Sequence, residues 1–175
     1  MDWYQTVFEV IDMRSFSNLW YWIALAVSWS TASHWVIGVP FDLVQRAARK
    51  GGQVETDVHD LVRINVNRVL YISGVSGTWL LAIVSFLLTM LALLGFYYAV
   101  EFCQAVFLLA FPMSLVGLLS IHTARAIARH GLEGPPLFAR LRRHRFYTQA
   151  IGMLAILVTA FWGMWQNLSI GALGN

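Results

Sequence analysis

The sequence predicts an all-α integral membrane protein: a four-helix bundle with short amphipathic interfacial helices and both termini outside. Three observations lead there. Four long runs carry almost no charge: residues 15–41 hold only His34, residues 102–124 hold only His122, and residues 69–100 and 146–175 hold none. Each can supply the ~20 apolar residues that a bilayer core demands. The basic residues are also sorted. Of twelve, Arg46, Arg49, Lys50, Arg63 and Arg68 fall between the first and second runs. Arg125, Arg129, Arg140, Arg142, Arg143 and Arg145 fall between the third and fourth, and only Arg14 stands elsewhere. Basic loops stay in the cytoplasm, so this sorting predicts four spans with both basic loops in the cytoplasm and both termini outside. Composition agrees: of 175 residues 58% are hydrophobic and only 12% charged, too few polar groups to cover a soluble domain of this size. The net charge of +3 is no nucleic-acid footprint, because the cations sit where membrane orientation alone would put them.

Taken in order, residues 2–13 place Trp3, Tyr4, Val7, Phe8 and Ile11 on one helical face and predict a short interfacial helix. Its acids, Asp2, Glu9 and Asp12, do not fit the basic start of a secretory signal, so the segment is expected to be retained. Ser15, Ser17 and Asn18 can cap the next helix. The spans are predicted at about 19–38, 69–96, 102–124 and 146–166, with cytoplasmic segments at 41–68 and 125–145. Within the first segment, Phe41, Leu43, Val44, Ala47 and Ala48 line one face of a short helix that Gly51-Gly52 stops. Asp57 and Asp60 suit the first turn of the helix that follows. Gly131 should end the third long helix, and Gly134-Pro135-Pro136 reads as a rigid turn. Trp20, Tyr21, Trp22, Tyr97, Tyr98, Trp162 and Trp165 fall near the outer interface, and Trp35, Tyr71 and Tyr147 near the inner one.

Four groups of residues invite a functional reading. Small residues recur at four-residue spacing: Ala24, Ser28 and Ala32; Gly74, Thr78 and Ala82; Ala155, Thr159 and Gly163. In lipid such faces let helices approach closely, within one bundle or between subunits. His34 and His122 are expected on the same side of the membrane at similar depth. Facing each other, they could ligate a b-type haem, with Arg125 and Arg129 on its propionates. The plainer reading makes His122, Arg125 and Arg129, with Arg142, Arg143 and Arg145, a cationic surface for anionic lipid head groups. Glu55, Asp57, His59 and Asp60 could in principle hold a metal, but helix-start chemistry accounts for these acids and no metal site is assigned.

No phosphate loop, dinucleotide fingerprint, His-Glu-x-x-His or Cys-x-x-Cys occurs, and Cys103 is the single cysteine. The run WYWIALAVSWSTASHWVIGVPFDLVQRA (residues 20–47), with the length and layout, resembles bacterial four-span inner-membrane proteins. Some of these carry the label of an associated component of the iron–sulfur cluster assembly (SufBCD) complex. That resemblance implies a partner role at most, since one cysteine cannot hold a cluster and no catalytic residue carries over. The expected function is therefore a non-enzymatic structural or accessory subunit of a homo-oligomer or larger inner-membrane complex, with no cofactor. The alternatives are a haem-binding electron-transfer anchor through His34 and His122, and a small oligomeric channel on the polar face of the first span (Ser28, Ser30, Thr31, Ser33).

Overall fold

A computed structural model describes residues 15–172, with side chains described as far as Leu168. The expected interfacial helix at 2–13 lies outside the described residues. Five helices account for nearly all of the rest: α1 (Leu19–His34), α2 (Phe41–Lys50), α3 (Gln53–Ala92), α4 (Glu101–His130) and α5 (Gly134–Ala172). A two-stranded hairpin, β1 (Trp35–Val36) and β2 (Val39–Pro40), joins α1 to α2. The helices containing α3, α4 and α5 are long and apolar enough to cross a membrane, which marks this as a membrane protein.

A short 3₁₀ turn at Ser15–Ser17 leads into α1, and Asn18 caps it by accepting the Trp20 amide at 3.0 Å. The helix ends at His34, not at Gly38 as the apolar run suggests. The backbone explains why. Ile37 and Gly38 both have positive φ, 51° and 73°, so the chain turns tightly and pairs Val36 with Val39 and Trp35 with Pro40. Paired positive φ values suit the twist of a two-residue hairpin loop. For a β-branched residue this conformation costs roughly 1–2 kcal/mol, and the burial of Ile37 offsets it. At 16 residues, α1 is about 24 Å long, short of the ~30 Å of a hydrocarbon core.

α2 buries Phe41, Val44 and Ala47 and exposes its charged face, Ala48 included. Asp42 near its start and Arg49 and Lys50 at its end match the helix dipole. After the glycine break, α3 runs unbroken for 40 residues, about 60 Å. Val58, Val62 and Val66 form its buried stripe in the polar half. A π-helical turn, Leu93–Tyr97, finishes it, and Ala99 at φ 56° reverses the chain. α4 continues through a buried Pro112 and stops at Gly131, which takes the left-handed conformation at φ 55°. Gly134-Pro135-Pro136 is not a separate turn. It is the first turn of α5, where proline's missing N–H costs nothing.

The tightest packing lies at the basic end. Val36, Val39, Val44, Val58, Ala124 and Leu141 are almost wholly buried there, so the hairpin, α2 and the polar halves of α3, α4 and α5 form one core. A second, smaller cluster joins α1 to α5 through Leu25, Trp29 and Ala155.

Candidate functional site

Two polar assemblies occupy opposite ends of the helices. At the end away from the basic stretches, Gln104 is buried at 3% exposure and makes three bonds. Its Nε2 donates to the Gly95 carbonyl at 2.8 Å. Its Oε1 accepts from Trp162 Nε1 at 2.9 Å and from Gln166 Nε2 at 2.7 Å. Gly95 belongs to the π turn, and a Cβ there would stand 2.9 Å from the Gln104 backbone nitrogen, so only glycine admits this contact. Around this knot the Phe16 amide donates to Glu101 Oε1 at 2.8 Å, Ser17 Oγ bonds Asn167 Oδ1 at 2.7 Å and the Tyr21 hydroxyl donates to the Ala105 carbonyl at 3.2 Å. The start of α1, the start of α4 and the end of α5 are thus tied together. An amide inside an apolar run is costly unless bonded. Gln104, the one amide in residues 102–124, carried that signal in the sequence.

At the basic end, Thr123 Oγ1 and His144 Nδ1 lie 3.1 Å apart in the buried seam between α4 and α5. On the outer edge of that seam, Arg140 Nη2 reaches to 3.4 Å from His122 Nδ1. His122, Arg125 and Arg129 are exposed and follow one another at helical spacing on α4. Arg142 and Arg143 on α5 are exposed as well. Arg145 is not part of this surface. It is half-buried, its guanidinium carbon 4.0 Å from the centre of the Phe41 ring, where it links α5 to α2.

The other sequence-predicted residues separate. His34 is exposed, 4.0 Å from Asp42 and edge-on to Trp35, whereas His122 meets Arg140. The two rings have different partners and neither enters the packed interior, so this arrangement lends the haem reading no support. His59 accepts the Gly134 amide at 3.1 Å and sits 4.0 Å from Glu55, while Asp57 bonds Gln53 and Asp60 bonds Arg63. That set is taken up by helix-end contacts and a salt bridge. On the polar side of α1, Ser28 and Ser33 are half-buried and Ser30 and Thr31 exposed.

The three small-residue faces also differ. Ala155, Thr159 and Gly163 are buried, and a Cβ on Gly163 would lie 3.2 Å from Phe16. Gly152 extends this face and was missed by the sequence pattern. On α1, Ala32 packs against the second cluster, Ser28 is half-buried and Ala24 is exposed. Gly74, Thr78 and Ala82 are all exposed, and a Cβ on Gly74 or Gly77 would meet nothing within 4 Å. Two faces therefore serve packing within the chain, and one is left open. No family model, curated protein or solved structure matches this chain.

Proposed function

We propose that this chain is a non-enzymatic accessory subunit of an inner-membrane assembly, docked to its partner or to further copies of itself through the apolar half of α3. One observation carries the reading. Of the apolar stretch in the α3 helix only 6% is buried within the chain, against 17% in α4 and 22% in α5. On that mostly exposed stretch lie Gly74 and Thr78, with Gly77 half-buried beside them. Glycine costs a helix ~1 kcal/mol relative to alanine, and close helix contact in lipid is what glycine permits.

In this reading the chain crosses the membrane four times, with both basic stretches in the cytoplasm and both termini in the periplasm. The ties of Phe16 to Glu101 and of Ser17 to Asn167 support the fourth crossing. They hold the start of α1 at one end of the bundle, while the hairpin that follows α1 is packed into the basic core at the other.

The test is native mass spectrometry from a mild detergent. The parent protein should appear in an assembly larger than one chain. Gly74→Leu and Thr78→Leu should break that assembly while leaving thermal stability unchanged, because neither position is packed within the chain. Gly163→Leu should lower stability by its clash with Phe16. A parent protein that is monomeric both in detergent and after crosslinking in cells would sink the proposal.

A further inference from the structure

The cations of the two basic stretches are treated differently by the structure. Near α2 and α3, two of the five cations are paired, Arg46 with Asp42 at 3.5 Å and Arg63 with Asp60 at 3.0 Å. Along the seam of α4 and α5, none of Arg125, Arg129, Arg140 and Arg143 has an acidic partner within 4 Å among the described residues. Membrane orientation requires these charges on one side of the bilayer. It does not require them on one face, and it does not require an arginine to approach a histidine.

Yet they converge. His122, Arg125 and Arg129 share the outward face of α4. Arg140 reaches across the seam to His122, and Arg143, three residues on along α5, shares its side of the helix one turn nearer the apolar run. With Arg140 donating to Nδ1, the His122 ring presents Nε2–H as a further donor. Arginine forks match the oxygens of phosphate bidentately. Just beyond Arg143 the apolar run begins, and its first two side chains, Phe146 and Tyr147, are exposed at 64% and 47%. An aromatic ring beside a cation at this depth is what the interface of a bilayer accepts.

We propose that His122, Arg125, Arg129, Arg140 and Arg143 form a binding site for a phosphate-bearing anion on the α4–α5 seam. The phosphate of an anionic lipid headgroup and free inorganic phosphate share the chemistry that this cluster recognises. The site's place at the edge of the apolar run, beside Phe146 and Tyr147, favours the headgroup. The site stands whether or not α3 docks to a partner.

The experiment follows the thermal stability of the full chain in a non-ionic detergent during three titrations. These use dihexanoyl phosphatidic acid, dihexanoyl phosphatidylcholine and inorganic phosphate. Phosphatidic acid should stabilise the protein saturably and phosphatidylcholine should not. The pair Arg125→Gln/Arg129→Gln, and separately Arg140→Gln/Arg143→Gln, should weaken the half-saturating concentration about thirtyfold. Arg49→Gln/Lys50→Gln removes the same charge from exposed positions off the seam and should change it less than about twofold. Protection by phosphatidic acid but not by inorganic phosphate assigns a headgroup. Equal protection by both assigns a soluble phosphate to the same site. No protection by either, or equal losses in seam and control variants, overturns the proposal.

Discussion

Trp29 of α1 lies where the side chain of residue 152 would stand: a Cβ on Gly152 would be 2.7 Å from Trp29 Cε3 and 3.1 Å from Cδ2. Trp29 is itself 4% exposed and anchors the second core cluster with Leu25 and Ala155. The bulk of one helix is therefore matched by the absence of a side chain on the other, which sets how closely α1 and α5 approach.

The expected consequence is a sign difference between two Gly→Ala substitutions. Gly152→Ala should destabilise by about 1–3 kcal/mol, because a large ring in a packed core must shift. Gly74→Ala, with open space around it, should be neutral or slightly stabilising through helix propensity. Thermal unfolding in detergent, followed by near-UV circular dichroism, reads both. A Gly152→Ala protein as stable as the parent would show that the ring moves freely and that α1 is loosely held.

This pair also shows what the sequence could and could not tell. Four-residue spacing picked out Ala155, Thr159 and Gly163, which lie buried. The same spacing on Gly74, Thr78 and Ala82 looked identical, yet this face is open. Spacing reports which residues share a face, not which helix stands opposite. The end of α1 was hidden for a related reason. Trp35 through Val39 is apolar, as a span would be, and only backbone geometry shows that Ile37 and Gly38 turn the chain. Gly38 has a specific role there, since a Cβ would lie 2.7 Å from Asn65 Oδ1, a contact between residues far apart in sequence. By contrast the Asn18 cap and the Gly131 stop rest on local chemistry and were legible. The arginines were legible as a stretch. That Arg145 stacks on Phe41 while Arg140 reaches His122 depends on packing of distant helices.

Gln104 supports a second prediction. Gln104→Leu removes the donor to the Gly95 carbonyl and the acceptor for Trp162 Nε1. A buried polar group that loses its partner costs ~1–3 kcal/mol, so the variant should lose at least ~2 kcal/mol. Trp162→Phe removes one of these bonds together with part of the ring that meets Phe96. A double-mutant cycle between the two positions separates the hydrogen bond from the packing. Coupling of ~0.5–3 kcal/mol is expected for groups that share a bond. Strict additivity would mean that the knot contributes no joint stability.

The orientation of the bundle gives the third prediction, read by cysteine labelling in intact cells with a membrane-impermeant thiol reagent. The natural Cys103 is first replaced by serine. Gln45→Cys lies on the exposed face of α2 and Ala139→Cys on the exposed side of the basic start of α5. Both are expected on the cytoplasmic face, shielded until the cells are permeabilised. Tyr98→Cys lies in the turn between α3 and α4, beside the end where Phe16, Glu101 and Asn167 gather, and should be labelled at once. The reasoning is electrostatic: eleven of the twelve basic residues stand at the end that holds positions 45 and 139, and such loops resist export across a membrane. Immediate labelling at 45 and 139 with protection at 98 would invert the orientation. Immediate labelling at 45 alone would break the shared basic end, and with it the packing of α2 against Arg145 in the cell.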